Sequence, residues 1–151
     1  MASSSSSVVE LLPKGYGYVV LVAVLYSFLN FFMAAKVGLA RKKYKVFYPT
    51  MYASESDNKD ANVFNCVQRG HQNSLEMLPL FFVFLILGGL RHPCISASLG
   101  LLYTVSRFFY FQGYSTGDPQ KRLSIGKYAF LALMGLIGCT ISFGVTLLLQ
   151  G

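Results

Sequence analysis

Two groups of polar side chains lie in otherwise apolar segments of the chain, at spacings that place each group on one face of a helix. The first polar stripe comprises Asn65, Arg69, Asn73 and Glu76. The second polar stripe comprises Tyr103, Arg107, Tyr110 and Tyr114. Each residue of an α-helix turns by about 100°, which places the first stripe within roughly 80° of arc and the second within about 60°.

The residue types in these stripes suit the binding of a small zwitterion. Arginine binds carboxylates bidentately, Glu76 can bind an ammonium group, and Asn73 suits a peptide-like amide. An alternative is that the polar groups only join helices, because interhelical hydrogen bonds commonly do so in membrane bundles. For Asn65 and Gln72 taken singly, we favour that alternative. An interhelical hydrogen bond needs only one donor and one acceptor, and the two stripes together hold many more. For the two stripes as a whole we therefore favour a binding site.

The segments around the stripes predict a membrane protein. Of the 151 residues 54% are hydrophobic and 13% are charged, and this charged share is about half of that usual in soluble domains. The 21 residues between Lys14 and Lys36 and the segment 128–151 carry no charge, and each is long enough to cross a hydrocarbon core about 30 Å thick. Two shorter apolar stretches, 77–90 and 94–106, can cross only if their polar flanks continue the helix.

We therefore predict an all-α integral membrane protein with one domain, a four-transmembrane-helix bundle over residues 1–151. The predicted spans are about 15–36, 61–90, 94–114 and 125–149. A charged residue that faces lipid at mid-bilayer costs about 2.5 to 3.5 kcal/mol, so Arg69, Glu76 and Arg107 together would lose about 8 to 10 kcal/mol. Both stripes should therefore face protein or a wet cavity.

The basic residues predict the orientation of this bundle. Two loops hold most of them, namely Lys36, Arg41, Lys42, Lys43, Lys45 and Lys59 after the first helix, and Lys121, Arg122 and Lys127 after the third. The opposite side has only Lys14 and Arg91. By the positive-inside rule, loops 37–60 and 115–124 face the cytosol and both termini face a lumen. The net charge of +7 then reflects topology and attraction to anionic membrane lipids, so no nucleic acid is predicted as a partner.

Two further features bear on function classes. Cys66, Cys94 and Cys139 are scattered over three helices without the spacing of a zinc site or a disulfide framework, so we expect no metal and interpret them as packing residues. The five-serine run 3–7 is expected to be disordered.

Two segments carry a resemblance to a known family. Residues 64–79, FNCVQRGHQNSLEMLP, resemble the second-helix signature of the MAPEG membrane proteins of eicosanoid and glutathione metabolism. Residues 107–122, RFFYFQGYSTGDPQKR, resemble the signature of that family on the third helix and the following loop. The resemblance implies a homotrimer of four-helix subunits in the endoplasmic reticulum membrane. It also implies a glutathione site at each subunit interface that opens toward cytosol and lipid.

The resemblance also assigns residues and an activity. The implied glutathione-binding residues are Arg41, Arg69, Asn73, Glu76, Arg107, Tyr110 and Tyr114. The thiol-activating arginine of the family follows the FQGY element, where an ungapped count gives Lys121 and one inserted residue gives Arg122. We prefer Arg122 because it keeps the guanidinium. Met77 departs from the tyrosine of the leukotriene-forming synthases, which weakens any transfer of their substrate contacts.

The expected function is a glutathione S-transferase with glutathione as co-substrate, delivering the thiolate to a lipophilic electrophile or a lipid hydroperoxide. Peroxidase and leukotriene C synthase activities belong to the same expectation. Two other classes are weighed against it. A non-enzymatic lipid-binding scaffold would not need the convergent arginines, and a small anion channel fits poorly with Glu76 beside Arg69 and with only four spans.

Overall fold

Four long helices form the protein in a computed structural model that describes residues 9–151. They are α1 (Tyr16–Tyr44), α2 (Ala61–Arg91), α3 (Pro93–Tyr114) and α4 (Tyr128–Gln150). A 3₁₀ turn, Pro119–Arg122, and a single helical turn, Leu123–Gly126, connect α3 to α4. All four long helices are long and apolar enough to cross a membrane, which confirms the predicted fold class. The five-serine run lies outside the described residues.

The helix ends follow from local sequence. Helix α1 continues two turns past Lys36, where the apolar stretch stops, and ends at Tyr44; the next residue, Lys45, caps it in the left-handed conformation with φ 57°. Only His92 separates α2 from α3, since Pro93 begins α3, at a position where the missing proline N–H costs no helical hydrogen bond. Residues 123–126, part of which was predicted to begin the last span, form a separate turn.

The core lies where α2 and α3 meet, because each of these two helices packs against the other three long helices. Tyr103 of α3 stacks on Phe81 of α2 with ring centroids 4.3 Å apart and an interplanar angle of 11°. Gly100 lets α3 approach closely, since a Cβ there would lie 2.7 Å from Leu85 and 2.8 Å from Val22. Close packing of this kind through small residues is typical of membrane helices, and it fixes α2 and α3, which carry both polar stripes.

The loop between α1 and α2 is anchored to α2 by Asn65. The side-chain amide of Asn65 donates to the carbonyl of Ala53 at 2.9 Å, and its oxygen accepts from the N–H of Ala53 at 2.7 Å. Asn65 therefore has a structural role, as favoured for it taken singly, but it bonds a loop and not another helix. The other three residues of the first polar stripe lie further along α2.

Candidate functional site

An exposed ion pair marks one side of the site. Arg69 Nη1 and Glu76 Oε1 lie 2.8 Å apart on α2, with 40% and 47% of the two side chains exposed. This is the one salt bridge found in residues 9–151. In the single chain, these two side chains are thus partly exposed, and they present a positive and a negative group next to each other.

Asn73 connects this pair to a buried arginine of α3. Arg107 Nη2 donates to Asn73 Oδ1 and to Ser74 Oγ, both at 2.8 Å. The amide of Asn73 in turn lies 3.5 Å from Glu76 Oε2, to which it donates. Arg107 is only 3% exposed. The two polar stripes therefore meet, as the sequence predicted, in a continuous chain of contacts across the interface of α2 and α3.

A cavity of 230 Å³ lies behind Asn73, between α2, α3, the connecting turns and α4. We call it the inner cavity. Its lining residues are Asn73, Met77, Tyr103, Arg107, Tyr110, Arg122, Leu123, Ala129, Phe130 and Leu133. Two of them are cationic, and none of these residues is acidic.

Arg107 carries a charge in the inner cavity that lacks an acidic partner. Its Nε is buried without a hydrogen-bond partner, and its guanidinium lies 4.2 Å from the centre of the Tyr110 ring. Burying an arginine without an opposite charge is costly, and a cation–π contact offsets only part of that cost. An anionic group in the inner cavity would lower the free energy of this arrangement.

The connecting turn places Arg122 at the same cavity. Asp118 caps the start of the 3₁₀ turn, and its side chain accepts from the backbone N–H of Gln120 at 3.0 Å. The guanidinium of Arg122 lies 5.3 Å from the centre of the Tyr114 ring and donates to the carbonyl of Pro119. Lys121 does not line the inner cavity.

Two tyrosines of the second stripe, Tyr110 and Tyr114, lie beside two arginines of the site, Arg107 and Arg122. The rings of Tyr110 and Tyr114 meet edge to face with centroids 5.8 Å apart. Tyr110 is buried, and it lines the inner cavity. Six of the residues that the sequence selected, Arg69, Asn73, Glu76, Arg107, Tyr110 and Tyr114, therefore lie together with Arg122.

Arg41 lies in a different place from the other selected residues. It is buried, and it donates to the carbonyl of Thr50 at 2.7 Å and to Gln68 Oε1 at 3.4 Å. Its guanidinium lies 4.3 Å from the centre of the Tyr48 ring. It lines a second cavity of 290 Å³ with His71 and Gln72, separate from the inner cavity within one chain.

The sequence did not indicate several residues of the site, among them Ser74, Phe130 and Leu133. Ser74 accepts a hydrogen bond from Arg107, but it lies about 100° from Asn73 on the helix and so falls outside the first stripe. Phe130 and Leu133 line the inner cavity, but they lie in a uniformly apolar span. No periodicity or charge could have separated them from residues that face lipid.

The fold and the site define a multi-pass membrane protein with a cationic cavity beside an exposed ion pair. A sequence profile described as the MAPEG family matches residues 19–142. The chain is similar to proteins named microsomal glutathione S-transferase 2, with 35% identity to the human, 34% to the bovine and 32% to the mouse protein. Each match covers 81% of this chain and 82% of the relative. The chain therefore belongs to the MAPEG family, which confirms the resemblance found in its two motifs.

From the two motifs alone, we expect a likeness to the type 3 microsomal glutathione S-transferase within this family. The three relatives above carry the type 2 name. Both names belong to microsomal glutathione transferases, and the assignment to type 3 stays a prediction.

Proposed function

We propose that this protein is a membrane-bound glutathione S-transferase that activates the glutathione thiol as a thiolate. It delivers the thiolate to lipophilic electrophiles or to lipid hydroperoxides. The observation that carries the proposal is the chain of contacts from the exposed ion pair through Asn73 to Arg107, beside the cavity that Arg122 lines. This arrangement offers charged groups for a zwitterion at one end and cations for an anion at the other.

Glutathione matches this arrangement group by group. Its γ-glutamyl end carries an ammonium for Glu76 and a carboxylate for Arg69, both of which have exposed side chains. Its peptide groups then lie at Asn73, and its sulfur lies toward Tyr110, Tyr114 and Arg122. Charge-assisted hydrogen bonds of this kind are about twice as strong as neutral ones. The family resemblance supports the same assignment of residues.

Arg41 takes part only if a second protomer contributes to the site. Within one chain, it belongs to a separate cavity. In the proposed homotrimer, the Arg41 of a neighbouring protomer binds glutathione at the subunit interface. We further propose the endoplasmic reticulum membrane as the location, with loops 37–60 and 115–124 in the cytosol and both termini in the lumen.

Arg122 is the proposed thiol activator. A free thiol has a pKa near 8.5, so only a few per cent is ionised at pH 7, and the thiolate is the nucleophile. A partly desolvated guanidinium lowers such a pKa by about one to two units, at about 1.36 kcal/mol per unit. The position of Arg122 at the inner cavity supports this role, and Lys121 does not line that cavity.

Two overall reactions follow from the thiolate. With an aryl halide, the sulfur attacks the ring carbon, a thioether forms, halide leaves, and the thiol proton passes to water. With a hydroperoxide, two glutathione molecules are oxidised to the disulfide, while the hydroperoxide is reduced to an alcohol and water. The apolar side chains of Phe130, Leu133 and Met77 in the inner cavity suit the lipophilic substrate, which approaches from the bilayer.

The test compares Arg122→Ala with Lys121→Ala in purified protein in detergent, assayed with glutathione and an aryl halide or a hydroperoxide. We expect Arg122→Ala to lose thiolate absorbance and turnover, while Lys121→Ala keeps much of both. The reverse result would transfer the activating role to Lys121. Conductance in liposomes without any glutathione-dependent turnover in the unaltered protein would refute the enzymatic proposal.

A further inference from the structure

The carboxamide of Asn73 has its orientation fixed by its two neighbours. Arg107 has only donors, so the atom of Asn73 that faces Arg107 at 2.8 Å must be the oxygen. Glu76 when ionised has only acceptors, so the atom that faces Glu76 must be the amide nitrogen. Both neighbours demand the same orientation. The amide nitrogen therefore faces the exposed ion pair, where a ligand would approach.

The hydrogen bond from Arg107 is held in place by its surroundings. Arg107 is 3% exposed, its guanidinium lies over the Tyr110 ring, and Nη2 donates to Ser74 Oγ as well as to Asn73 Oδ1. Ser74 is fully buried. Arg107 thus has little freedom to leave Asn73, and its buried Nε has no partner.

We propose that Arg107 is a positioning residue that holds Asn73 as a hydrogen-bond donor to the ligand. Asn73 then donates from its amide nitrogen to an acceptor oxygen of the bound tripeptide, a peptide carbonyl or a carboxylate. The proposal rests on glutathione as the ligand, and it differs from a direct contact of Arg107 with glutathione. The oxygen of the ligand that accepts from Asn73 is then a determinant of the specificity for glutathione.

The first experiment alters Arg107 and measures the KM for glutathione, kcat at saturating glutathione, and thiolate absorbance. In Arg107→Met the amide of Asn73 loses the shorter of the two hydrogen bonds that fix its orientation and is held only by the 3.5 Å contact with Glu76. We therefore expect the KM for glutathione to rise about tenfold, as for loss of one hydrogen bond. We expect kcat and the thiolate absorbance at saturation to fall by a smaller factor than the KM rises, because Arg122 remains at the inner cavity. Arg107→Lys restores a donor-only neighbour and should bring the KM back toward the original value.

Ser74→Ala is the matched control. It removes the other acceptor of Arg107 from the same buried contact and leaves Asn73 unaltered. We expect it to lower the thermal midpoint while the KM for glutathione stays close to the original value. If Ser74→Ala raises the KM as much as Arg107→Met does, the effect of Arg107 is structural and the proposal is overturned.

Asn73→Asp tests the direction of the hydrogen bond. An aspartate still accepts from Arg107, but it presents an oxygen instead of an N–H to the ligand. We expect the dissociation constant for glutathione in titration calorimetry to rise more than tenfold. Unchanged affinity would show that Asn73 binds through its oxygen and would overturn the proposal.

The outcomes also separate this inference from the proposed function. If titration calorimetry detects no binding of glutathione to the unaltered protein, the proposed function and the positioning role of Arg107 both fail, since the second rests on that ligand. If it binds glutathione and Arg107→Met binds equally well, only the positioning role fails. Loss of thiolate absorbance in Arg107→Met at saturating glutathione would make Arg107 a direct partner of the sulfur, which would also overturn the positioning role.

Discussion

Gly113 of α3 and Lys121 of the connecting turn lie backbone against backbone. A Cβ on Gly113 would lie 2.7 Å from the carbonyl carbon of Lys121 and would overlap its carbonyl oxygen. Gly126 makes a similar approach to Tyr110, where a Cβ would lie 2.8 Å from the Tyr110 Cβ. These two glycines let the connecting turns pack onto α3, and this packing brings Arg122 to the inner cavity.

Gly113→Ala should therefore displace the turn that carries Arg122. The added methyl group meets backbone rather than a flexible side chain, and such overpacking costs about 1 to 3 kcal/mol. We expect a lower thermal midpoint and a loss of thiolate absorbance with glutathione.

Gly138→Ala in α4 is the matched control for Gly113→Ala. Apart from its chain neighbours and the adjacent backbone of its own helix, no atom of the described residues lies within 4 Å of a Cβ at Gly138. This variant should keep both the thermal midpoint and the thiolate signal. Full thiolate formation in Gly113→Ala would show that the approach of the turn to α3 is not needed to position Arg122.

Glu76→Gln should weaken glutathione binding far more than it weakens the fold. The pair of Arg69 and Glu76 is partly exposed, and such pairs contribute about 0 to 1 kcal/mol to stability. The charge is needed in the proposed contact with the ligand ammonium. We expect the KM for glutathione to rise at least tenfold, since hydrogen bonds to charged groups contribute about 1.5 to 3 kcal/mol, with a small change in thermal midpoint.

Glu55→Gln, in the loop between α1 and α2, removes an equal charge from an exposed position. It should leave the KM for glutathione unaltered. An equal rise in KM for both variants would assign the effect to net charge rather than to Glu76 itself.

The helical periodicity of the polar residues predicted much of the candidate site. Arg69, Asn73 and Glu76 share a face of α2, and the high cost of lipid exposure correctly indicated that Arg107 is buried. Two of the four helices could be predicted because long uncharged segments have few other stable structures in a membrane. The other two could be predicted because their apolar stretches are too short to cross unless the polar flanks continue the helix.

Periodicity could not predict what depends on the path of the loops. Asn65 belongs to the same arc as Arg69, yet it bonds the backbone of Ala53, which only the fold of loop 45–60 brings near. Arg41 has the residue type of a ligand-binding group, but it lies in another cavity of the same chain. Ser74 shows the converse, since a residue outside the arc completes the contacts of Arg107.

Arg41→Ala should release the loop that follows α1. Arg41 donates to the backbone carbonyls of Thr50 at 2.7 Å and Val46 at 3.4 Å, and it packs against the ring of Tyr48. We expect a loss of about 2 to 4 kcal/mol in stability. Chymotrypsin cleavage at the exposed Phe47 and Tyr52 should become faster.

Lys42→Ala is the control for Arg41→Ala, because Lys42 is the next residue and is exposed. This variant keeps the chymotrypsin sites, and chymotrypsin should cleave it at the same rate as the unaltered protein. If chymotrypsin also cleaves Arg41→Ala at the rate of the unaltered protein, but this variant binds glutathione more weakly, Arg41 is a ligand residue and not an anchor of the loop.

Tyr26→Phe should leave the fold intact or make it more stable. Tyr26 is fully buried in contact with Phe81 and Tyr103, yet its hydroxyl has no hydrogen-bond partner among the described residues. A buried hydroxyl without a partner costs about 1 to 3 kcal/mol, and its removal without loss of the ring is neutral or favourable.

Tyr16→Phe provides the contrast, because the Tyr16 hydroxyl donates to the carbonyl of Ile86 at 3.1 Å. Thermal midpoints in the same detergent should therefore stay constant or rise for Tyr26→Phe and fall for Tyr16→Phe, and a clear fall for Tyr26→Phe would mean that its hydroxyl is hydrogen-bonded in the folded protein.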